Sequence, residues 1–201
     1  MFRITNIGRM RINRDGEGIR TLILTADCPL RCKYCINPHT WNGKARIQEF
    51  DAEGLYEKIS LDRLYFISTN GGVTFGGGEP LLYAEDILHF KRLCKSEFSV
   101  YAETSLNVPE ENILIASKCV DRFIVDIKTM ESDKYSAYTG GNLSRALSNL
   151  TLLIQRTGAE CIKVRIPVIP GFSSYEDQKN YQEKLIEYGI RDFDCFTYSR
   201  R

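Results

Sequence analysis

The chain of 201 residues is 43% hydrophobic and 26% charged, and its formal net charge is +1. This length suits one domain with a substantial core, so we expect a single domain over residues 1–201. The near-neutral charge gives no reason to expect nucleic acid or an acidic membrane surface as a partner. No apolar run reaches the roughly 18 residues of a membrane span, and the N-terminus lacks the apolar stretch of a signal peptide. The expected location is the cytoplasm.

Apolar and amphipathic segments alternate along the chain after residue 20. Residues 1–13 alternate loosely and predict a preceding hairpin or arm. Strands are predicted at about 20–26, from 71 into a glycine-rich turn, and at 98–102, 122–127, 161–168 and 192–197. Helices are predicted at about 50–60, 83–95, 109–117, 142–155 and 174–187, with a helical turn from residue 132.

Six apolar strands separated by crossover helices predict an α/β fold with a parallel sheet. A curved sheet forming a partial (β/α)6 barrel and an open doubly wound sheet both satisfy this alternation. In either fold, ligands bind at the carboxyl ends of the strands. The residues that carry chemistry lie at or near these ends: Cys28, Gly77, Gly78, Glu79, Glu103, Thr104, Asp126, Lys128 and Arg165.

The segment from Cys28 to Cys35 presents three cysteines in the spacing C-x3-C-x2-C, directly after the first predicted strand. A structural zinc site takes four ligands, whereas iron–sulfur clusters are usually held by cysteines. Three ligands would leave one iron of a cubane cluster open to a small molecule. The odd total of seven cysteines argues against a disulfide framework. We expect the remaining cysteines to be buried apolar residues: Cys94, Cys119, Cys161 and Cys195.

Two further features stand out within apolar surroundings. The run Gly76–Pro80, Gly-Gly-Gly-Glu-Pro, makes a tight strand-to-helix turn, because glycine accepts positive φ. The missing side chains would also let the main chain approach a ligand. Asp126 and Lys128 share one face of a strand, which either a salt bridge at the strand end or a shared polar pocket explains. Arg165 is a similar charge in an apolar strand, and a guanidinium matches a carboxylate ligand.

The cysteine loop, with Tyr34 before its third cysteine, resembles the cluster loop of the radical S-adenosylmethionine (SAM) enzymes. The segments Asp15–Thr21, Cys28–Trp41 and Gly71–Leu82 resemble pyruvate formate-lyase activating enzymes and their relatives. Val-Asp-Ile-Lys-Thr-Met, Tyr-Thr-Gly at 138–140 and Arg-Ile-Pro-Val-Ile-Pro-Gly-Phe match the same family. These matches follow one another in the same linear order over most of the chain.

The resemblance implies a partial (β/α)6 barrel that binds one [4Fe-4S] cluster and SAM. In that family the reduced cluster cleaves SAM to methionine and a 5′-deoxyadenosyl radical. The radical removes a hydrogen atom from a glycine of a larger glycyl-radical enzyme, and a flavodoxin or ferredoxin-type protein is the implied reductant. No catalytic side chain is expected beyond the cluster and SAM, because the radical chemistry belongs to the cofactors.

By the same resemblance, Cys28, Cys32 and Cys35 would ligate iron, and the amino and carboxylate groups of SAM would complete the fourth position. The glycine-rich turn would line the methionine end of SAM, with Arg165 near the carboxylate. The full set of implied SAM contacts is Tyr34, Cys35, Ile36, Gly77, Gly78, Glu79, Glu103, Thr104, Asp126, Lys128 and Arg165.

Other roles follow from the resemblance for residues farther from the cluster. Asp126, Lys128, Glu103 and Thr104 would face the SAM ribose or a nearby site for a monovalent cation. Asp15 would approach the glycyl-radical loop of the partner enzyme. His39, close to the cysteine loop, is a candidate substrate contact or a turn residue.

The chain departs from the family pattern at several positions. Ile36 stands where the activases often carry histidine, and Glu103-Thr-Ser stands where Asp-Thr-Asn is commoner. Residues 36–93 contain no cysteine, so a single cluster is expected. The sequence ends at Phe-Thr-Tyr-Ser-Arg-Arg, where the family continues with a segment that covers adenine and contacts the partner. This last departure leaves the partner and the glycyl-radical activity open.

Three other functions stay open on the sequence alone. The first is a compact radical SAM enzyme that acts on a small molecule or a peptide. The second is a non-catalytic iron–sulfur module, against which the glycine turn, Lys128 and Arg165 argue. The third is a zinc-binding domain, which iron and sulfide analysis would distinguish.

Overall fold

A computed structural model describes residues 1–198 as an eight-stranded sheet with helices between its strands. The strands are β1 (Phe2–Ile12), β2 (Ile19–Thr25), β3 (Gln48–Phe50), β4 (Gly72–Gly77), β5 (Ser99–Thr104), β6 (Arg122–Asp126), β7 (Ile162–Val168) and β8 (Asp192–Thr197). The α-helices of residues 1–198 are α1 (Ala52–Ser60), α2 (Arg63–Thr69), α3 (Ala84–Cys94), α4 (Glu110–Ala116), α5 (Ser132–Thr139), α6 (Leu143–Thr157) and α7 (Tyr175–Glu187). Short 3-10 helices lie at Pro38–Thr40, Pro80–Tyr83 and Ala159–Cys161. Residues 199–201, the end of the terminal segment noted above, lie outside the described residues.

The strand order distinguishes between the two folds that the sequence leaves open. It runs β3-β1-β2-β4-β5-β6-β7-β8, and all neighbours from β2 onwards pair in parallel. A doubly wound sheet reverses its order once, whereas these parallel strands follow chain order throughout. Right-handed crossovers that step in one direction place their helices on one face. The sheet is curved and unclosed, so the prediction of a partial barrel is confirmed and the doubly wound alternative is excluded.

The N-terminal segment and one helix differ from the prediction. The predicted hairpin or arm is the long strand β1, which pairs antiparallel with β2, and β3 pairs antiparallel with β1. These two strands extend the six predicted ones at one edge of the sheet. Helix α2 is absent from the prediction because Leu64, Tyr65 and Ile67 are exposed and only Phe66 is buried. Its apolar residues therefore trace no single buried face.

The two faces of the parallel sheet differ in character. Alternate residues such as Ile23, Phe75 and Val125 belong to one hydrophobic core that the helices cover. The residues between them face the concave side, because side chains alternate along a strand. Glu103 and Asp126 are examples near the carboxyl ends of β5 and β6. The concave face thus holds the polar groups that the core excludes.

Arg20 closes the amino-terminal end of the concave face. Its side chain is fully buried, and its Cζ lies 3.6 Å from the centroid of the Tyr101 ring. The guanidinium donates to Thr74 Oγ1 at 2.7 Å, to Ser99 Oγ at 2.9 Å and to the Val73 carbonyl at 2.5 Å. Burial lowers the pKa of Arg20 to about 10, which still leaves it charged at neutral pH. These hydrogen bonds stabilise the charge and join β2, β4 and β5.

The predicted burial of the four scattered cysteines is confirmed for two of them and wrong for the other two. Cys94 and Cys119 are buried, as predicted. Cys161 is partly exposed and Cys195 is exposed, because Cys195 lies in the edge strand β8 and Cys161 in a short 3-10 helix before β7.

No helix within residues 1–198 has the length and apolar character needed to cross a bilayer.

Replacing Arg20 with methionine should lower the free energy of unfolding by about 2–4 kcal/mol, because two hydroxyls and a carbonyl lose a buried charged donor. Urea unfolding of the apo protein, followed by circular dichroism, measures this change. Arg156→Met removes an exposed arginine from α6 and is the matched control. The control should differ from wild type by less than about 0.5 kcal/mol. An Arg20→Met protein as stable as the wild type would contradict this role of Arg20.

Candidate functional site

A cavity of about 460 Å³ lies at the carboxyl ends of the parallel strands. Its walls come from the loops after β2, β5 and β6, from the end of β4 and from β7 and β8. Parallel α/β folds bind ligands at this edge because loops from several strands converge there. The residues predicted from the sequence that line it are Cys28, Cys32, Tyr34, Cys35, Ile36, Gly77, Gly78, Glu103, Thr104, Asp126, Lys128 and Arg165.

The cysteine loop leaves β2 and folds against the end of α5. The backbone N–H groups of Arg31 and Lys33 donate to carbonyls of the last turn of α5, at 2.7 and 3.0 Å. Arg31 also donates to the Cys28 carbonyl at 2.6 Å, and its Cζ lies 4.9 Å from the Trp41 ring centroid. The loop is therefore held in place by groups other than its thiols. All three thiols are free, partly buried and in contact with the cavity.

The donor chemistry of these thiols fits an iron–sulfur cluster. Burial raises the pKa of Cys28 to about 12 and that of Cys32 to about 11, so both are neutral thiols in the apo protein at neutral pH. Binding of iron would displace those protons, since the thiolate is the ligand. Within residues 1–198, no three His, Cys, Asp or Glu side chains are already gathered as ligands of one metal ion. A cluster is larger than one ion and is held by separated cysteines, which suits three thiols spread along one loop.

Gly77 and Gly78 bring the main chain against the cysteine loop. Gly77 has a φ of 94°, and a Cβ there would lie 2.8 Å from the Cα of Leu24. A Cβ on Gly78 would lie 2.0 Å from the carbonyl oxygen of Asp27, so a larger residue would displace one of the two segments. Glycine is required at both positions, and bare backbone forms the cavity wall beside Cys28.

The side chain of Glu79 is placed differently from its glycine neighbours. It is 1% exposed and is not among the residues that line the cavity. Its carboxylate accepts hydrogen bonds from Thr104 Oγ1 at 2.7 Å, from Leu81 N at 3.2 Å, and from Ser105 N and Oγ at 2.9 and 2.6 Å. Burial raises the pKa of Glu79, and these four donors oppose that shift. Glu79 joins the end of β4 to the end of β5, behind the cavity wall.

A row of charged side chains crosses the concave face from β5 to β8. Arg165 lies at its centre: its Nη1 donates to Glu103 Oε1 at 2.8 Å, and its Nε lies 3.4 Å from Asp194 Oδ2. Asp126, Arg165 and Asp194 are direct cross-strand partners. Lys128 follows β6, and its Nζ lies 3.3 Å from Asp126 Oδ2. Each of the two cations therefore lies within 4 Å of a carboxylate on the cavity wall.

Burial and charge pairing oppose each other within this row. Burial raises the pKa of Glu103, although Arg165 favours the ionised carboxylate. Burial alone would lower the pKa of Arg165, but Glu103 and Asp126 outweigh it and the pKa is raised. Burial likewise acts against the charge of Lys128, and Asp126 is the main group that leaves its pKa raised. Both cations stay charged at neutral pH and are able to bind an anionic ligand group.

Aromatic rings border the cavity beside the third cysteine. The ring of Tyr138, in α5, lies 4.9 Å from Phe172 and 6.1 Å from Tyr34, centroid to centroid. Flat apolar surfaces of this kind suit a planar ligand group.

The last residues of β8 also line the cavity, although the sequence prediction does not include them. The rule that ligands bind at the carboxyl ends of strands would predict them if it were applied to β8. The cavity-lining residues that the sequence prediction omits are Leu30, Asn37, Ser105, Tyr138, Asp194, Phe196, Thr197 and Tyr198.

The two predicted substrate contacts are not among the residues that line the cavity. Asp15 is 5% exposed, forms an ion pair with Arg11, and its carbonyl accepts a hydrogen bond from Thr74 Oγ1 at 2.7 Å. It therefore belongs to the polar network at the amino-terminal end of the concave face. His39 lies in the short 3-10 helix that follows the cysteine loop and is partly exposed.

Comparison with known proteins supports the interpretation of the cysteine loop as the site of an iron–sulfur cluster. The family model of the radical SAM superfamily matches residues 22–181. Pyruvate formate-lyase 2-activating enzyme of Escherichia coli (strain K12) is 34% identical over an alignment 227 positions long, and the match covers 98% of this chain and 77% of that protein. Pyruvate formate-lyase-activating enzyme of Clostridium pasteurianum is 35% identical over 185 residues, which cover 92% of this chain and 75% of that protein.

A solved structure shares the fold. Streptococcus suis SuiB bound to S-adenosylmethionine has a TM-score of 0.67 at 20% identity. The match covers 87% of this chain and 39% of SuiB, so the chain spans about two fifths of that protein's length. The matched residues of the family model include the cysteine loop, the glycine turn and the charged row up to Arg165. The chain belongs to the radical SAM superfamily and, within it, to the family of pyruvate formate-lyase-activating enzymes.

Proposed function

We propose that this protein cleaves SAM reductively and uses the 5′-deoxyadenosyl radical to install a glycyl radical in a larger partner enzyme. The observation that carries the proposal is a single cavity bordered by three free thiols, a bare glycine turn and a row of charges. Family membership supplies the chemical context, since radical SAM enzymes use a [4Fe-4S] cluster and SAM. The relatives named above are activating enzymes of pyruvate formate-lyases. An equivalent glycyl-radical enzyme is the proposed partner here.

Cys28, Cys32 and Cys35 are the proposed cluster ligands. When bound, the cluster supplies the electron that cleaves SAM. The contacts of the loop with α5 hold its backbone in place, and burial keeps the thiols of Cys28 and Cys32 protonated until iron displaces the protons. The chain's own contribution is therefore to position three sulfur ligands at the edge of the cavity.

The glycine turn and the charged row are proposed to hold SAM. Bare backbone next to the cysteine loop would accept hydrogen bonds from the ammonium group of SAM. Arg165 and Lys128 would pair with its carboxylate, because both cations are charged and line the same cavity. Asp126, Glu103 and Thr104 would accept hydrogen bonds from the ribose hydroxyls of SAM or would border a monovalent cation. Glu79 would not contact SAM; its carboxylate would instead fix the position of Thr104 by accepting the hydrogen bond from its hydroxyl.

The outer rim of the cavity is proposed to meet adenosine and the partner. Tyr34 and Ile36 would border the nucleoside and limit the access of water. Ile36 is 75% exposed, so a partner surface would bury apolar area there. Asp15 and His39 do not line the cavity. His39, which is partly exposed, is proposed to contact the partner, whereas Asp15 is buried against Arg11 and is given no contact with SAM or the partner.

The wider setting follows from the same proposal. A flavodoxin or ferredoxin-type protein is the proposed electron donor, and the cytoplasm is the proposed location. Residues 1–201 are proposed to form one domain, because a single hydrophobic core joins the sheet to its helices.

The function is tested with anaerobically reconstituted, reduced protein. Mixed with SAM, it should release 5′-deoxyadenosine and methionine, and a pyruvate formate-lyase-type partner should then show a glycyl-radical signal by electron paramagnetic resonance. Cys32→Ser should lose its iron and both activities, because only two thiolates remain in the loop. Cys161→Ser, a partly exposed cysteine outside the loop, is the matched control and should keep both.

The outcomes separate the proposal from its alternatives. Release of 5′-deoxyadenosine without a glycyl radical in any such partner would favour the compact enzyme that acts on a small molecule or peptide. A protein that binds iron but does not cleave SAM would be a non-catalytic iron–sulfur module. Zinc in place of iron after anaerobic purification would contradict every function based on SAM.

Replacing Arg165 with methionine should weaken SAM binding about ten- to a hundredfold, because a hydrogen bond to a charged group contributes about 1.5–3 kcal/mol. Anaerobic titration calorimetry on the reconstituted protein measures the dissociation constant. Arg145→Met, which removes an exposed cation from the first turn of α6, should leave it unchanged. Equal affinities of Arg165→Met and wild type would show that Glu103 and Asp194 keep the guanidinium away from SAM.

A further inference from the structure

Asp27, directly before the first cysteine, has a conformation and contacts that the proposed chemistry does not use. Its φ is 60°, which lies in the left-handed region. Aspartate visits this region more readily than most residues other than glycine, but at some cost. A residue held in such a conformation at a site depends on its surroundings to keep it there.

The backbone of Asp27 connects the cysteine loop with the glycine turn. Its N–H donates to the Thr40 carbonyl at 2.8 Å, and its carbonyl accepts from the N–H of Glu79 at 2.8 Å. Gly78 packs against the same carbonyl so closely that any Cβ would clash with it. Asp27 is thus a residue through which the proposed cluster half and SAM half of the site are in contact.

The carboxylate of Asp27 is held by two side chains from other elements. Arg3 Nη1, in β1, lies 2.8 and 2.6 Å from the two carboxylate oxygens. The Tyr83 hydroxyl donates to Asp27 Oδ2 at 2.7 Å, from the 3-10 helix that follows the glycine turn. We call Arg3, Asp27 and Tyr83 the Asp27 clamp. It joins the N-terminal strand, the cysteine loop and the segment after the glycine turn.

The exposure of the clamp limits what it does for overall stability. The side chains of Arg3 and Asp27 are 42% and 43% exposed. Ion pairs as exposed as this contribute little to the stability of a fold, because solvent screens them. A hydrogen-bonded carboxylate can still fix local geometry, as groups behind metal ligands do when they orient those ligands. The effect of the clamp should therefore appear in the site rather than in global unfolding.

We propose that the Asp27 clamp fixes the separation between Cys28 and the glycine turn, so that Asp27 is a positioning residue for cluster and SAM binding. This rests on the proposed function, which assigns the cluster to the cysteine loop and SAM to the cavity beside it. The clamp gives β1 a role beyond extending the sheet: it supplies the cation that holds Asp27. Arg3 and Tyr83 act only through Asp27 and are not among the residues that line the cavity.

Asp27→Asn is the central test variant, because asparagine tolerates the left-handed conformation and keeps the shape while removing the charge. The matched control is Glu97→Gln, which breaks another exposed pair, with Arg63 at 2.5 and 2.7 Å. Neither Glu97 nor Arg63 lines the cavity. Three properties are measured in each protein: thermal unfolding of the apo form, the iodoacetamide alkylation rate of Cys28 relative to Cys161, and the SAM dissociation constant after reconstitution.

Asp27→Asn should raise the SAM dissociation constant about tenfold and should speed Cys28 alkylation in the apo protein, as loss of an orienting group does. Its melting temperature should stay within about 3 °C of wild type.

Tyr83→Phe should weaken SAM binding only about threefold, since it removes one hydrogen bond. The double variant Arg3→Met/Asp27→Asn should bind SAM no more weakly than Asp27→Asn, because both changes break one clamp. The SAM-induced change in the paramagnetic resonance spectrum of the reduced cluster should be altered in Asp27→Asn and normal in Glu97→Gln.

Two results would overturn the inference. One is wild-type SAM affinity and wild-type Cys28 alkylation in Asp27→Asn. The other is an equal loss of SAM affinity in Asp27→Asn and Glu97→Gln, which would indicate a general effect of removing a surface charge. Failure of the wild-type protein to hold iron or bind SAM would instead contradict the proposed function. The alkylation comparison, made on apo protein, would still decide whether the clamp holds the loop.

Discussion

Parallel pairing from β2 to β8 makes six segments of the chain end at one edge of the sheet. The strands follow chain order, so every right-handed crossover steps the same way and the helices stay on one face. The opposite, concave face remains free for a ligand. The cysteine loop, the glycine turn and Arg165 are far apart in sequence, and the parallel arrangement of the strands brings them to one cavity.

Charged groups on the concave face differ in role according to their position along the strands. Arg20, near the amino-terminal end, is fully buried and its donors are used by hydroxyls and carbonyls of the protein. Arg165, toward the carboxyl end, borders the cavity and pairs with carboxylates that also border it. In the proposed function, a ligand that enters the cavity would compete for Arg165 and would leave Arg20 untouched. The two arginines on one face would then serve binding and stability separately.

Much of the fold follows from the sequence because buried parallel strands are long apolar runs with turn residues between them. The bounds of the buried strands β6 and β7 agree with the prediction to within one residue at each end. The strand-end rule also selects the cysteines, the glycines and the charged row that line the cavity. Other features depend on contacts between distant segments, which no local pattern encodes. Tyr138 reaches the cavity from α5, Glu79 turns its carboxylate into the interior, and Asp27 is held by a residue of β1.

The central claim is that three thiolates of one loop hold a four-iron cluster with one iron open to SAM. Mössbauer spectroscopy of protein reconstituted with iron-57 tests this most directly, because it resolves individual iron environments. On adding SAM, we expect the signal of one iron in four to change while the other three keep theirs. A spectrum that SAM leaves unchanged, or iron that is not part of a four-iron cluster, would contradict the claim.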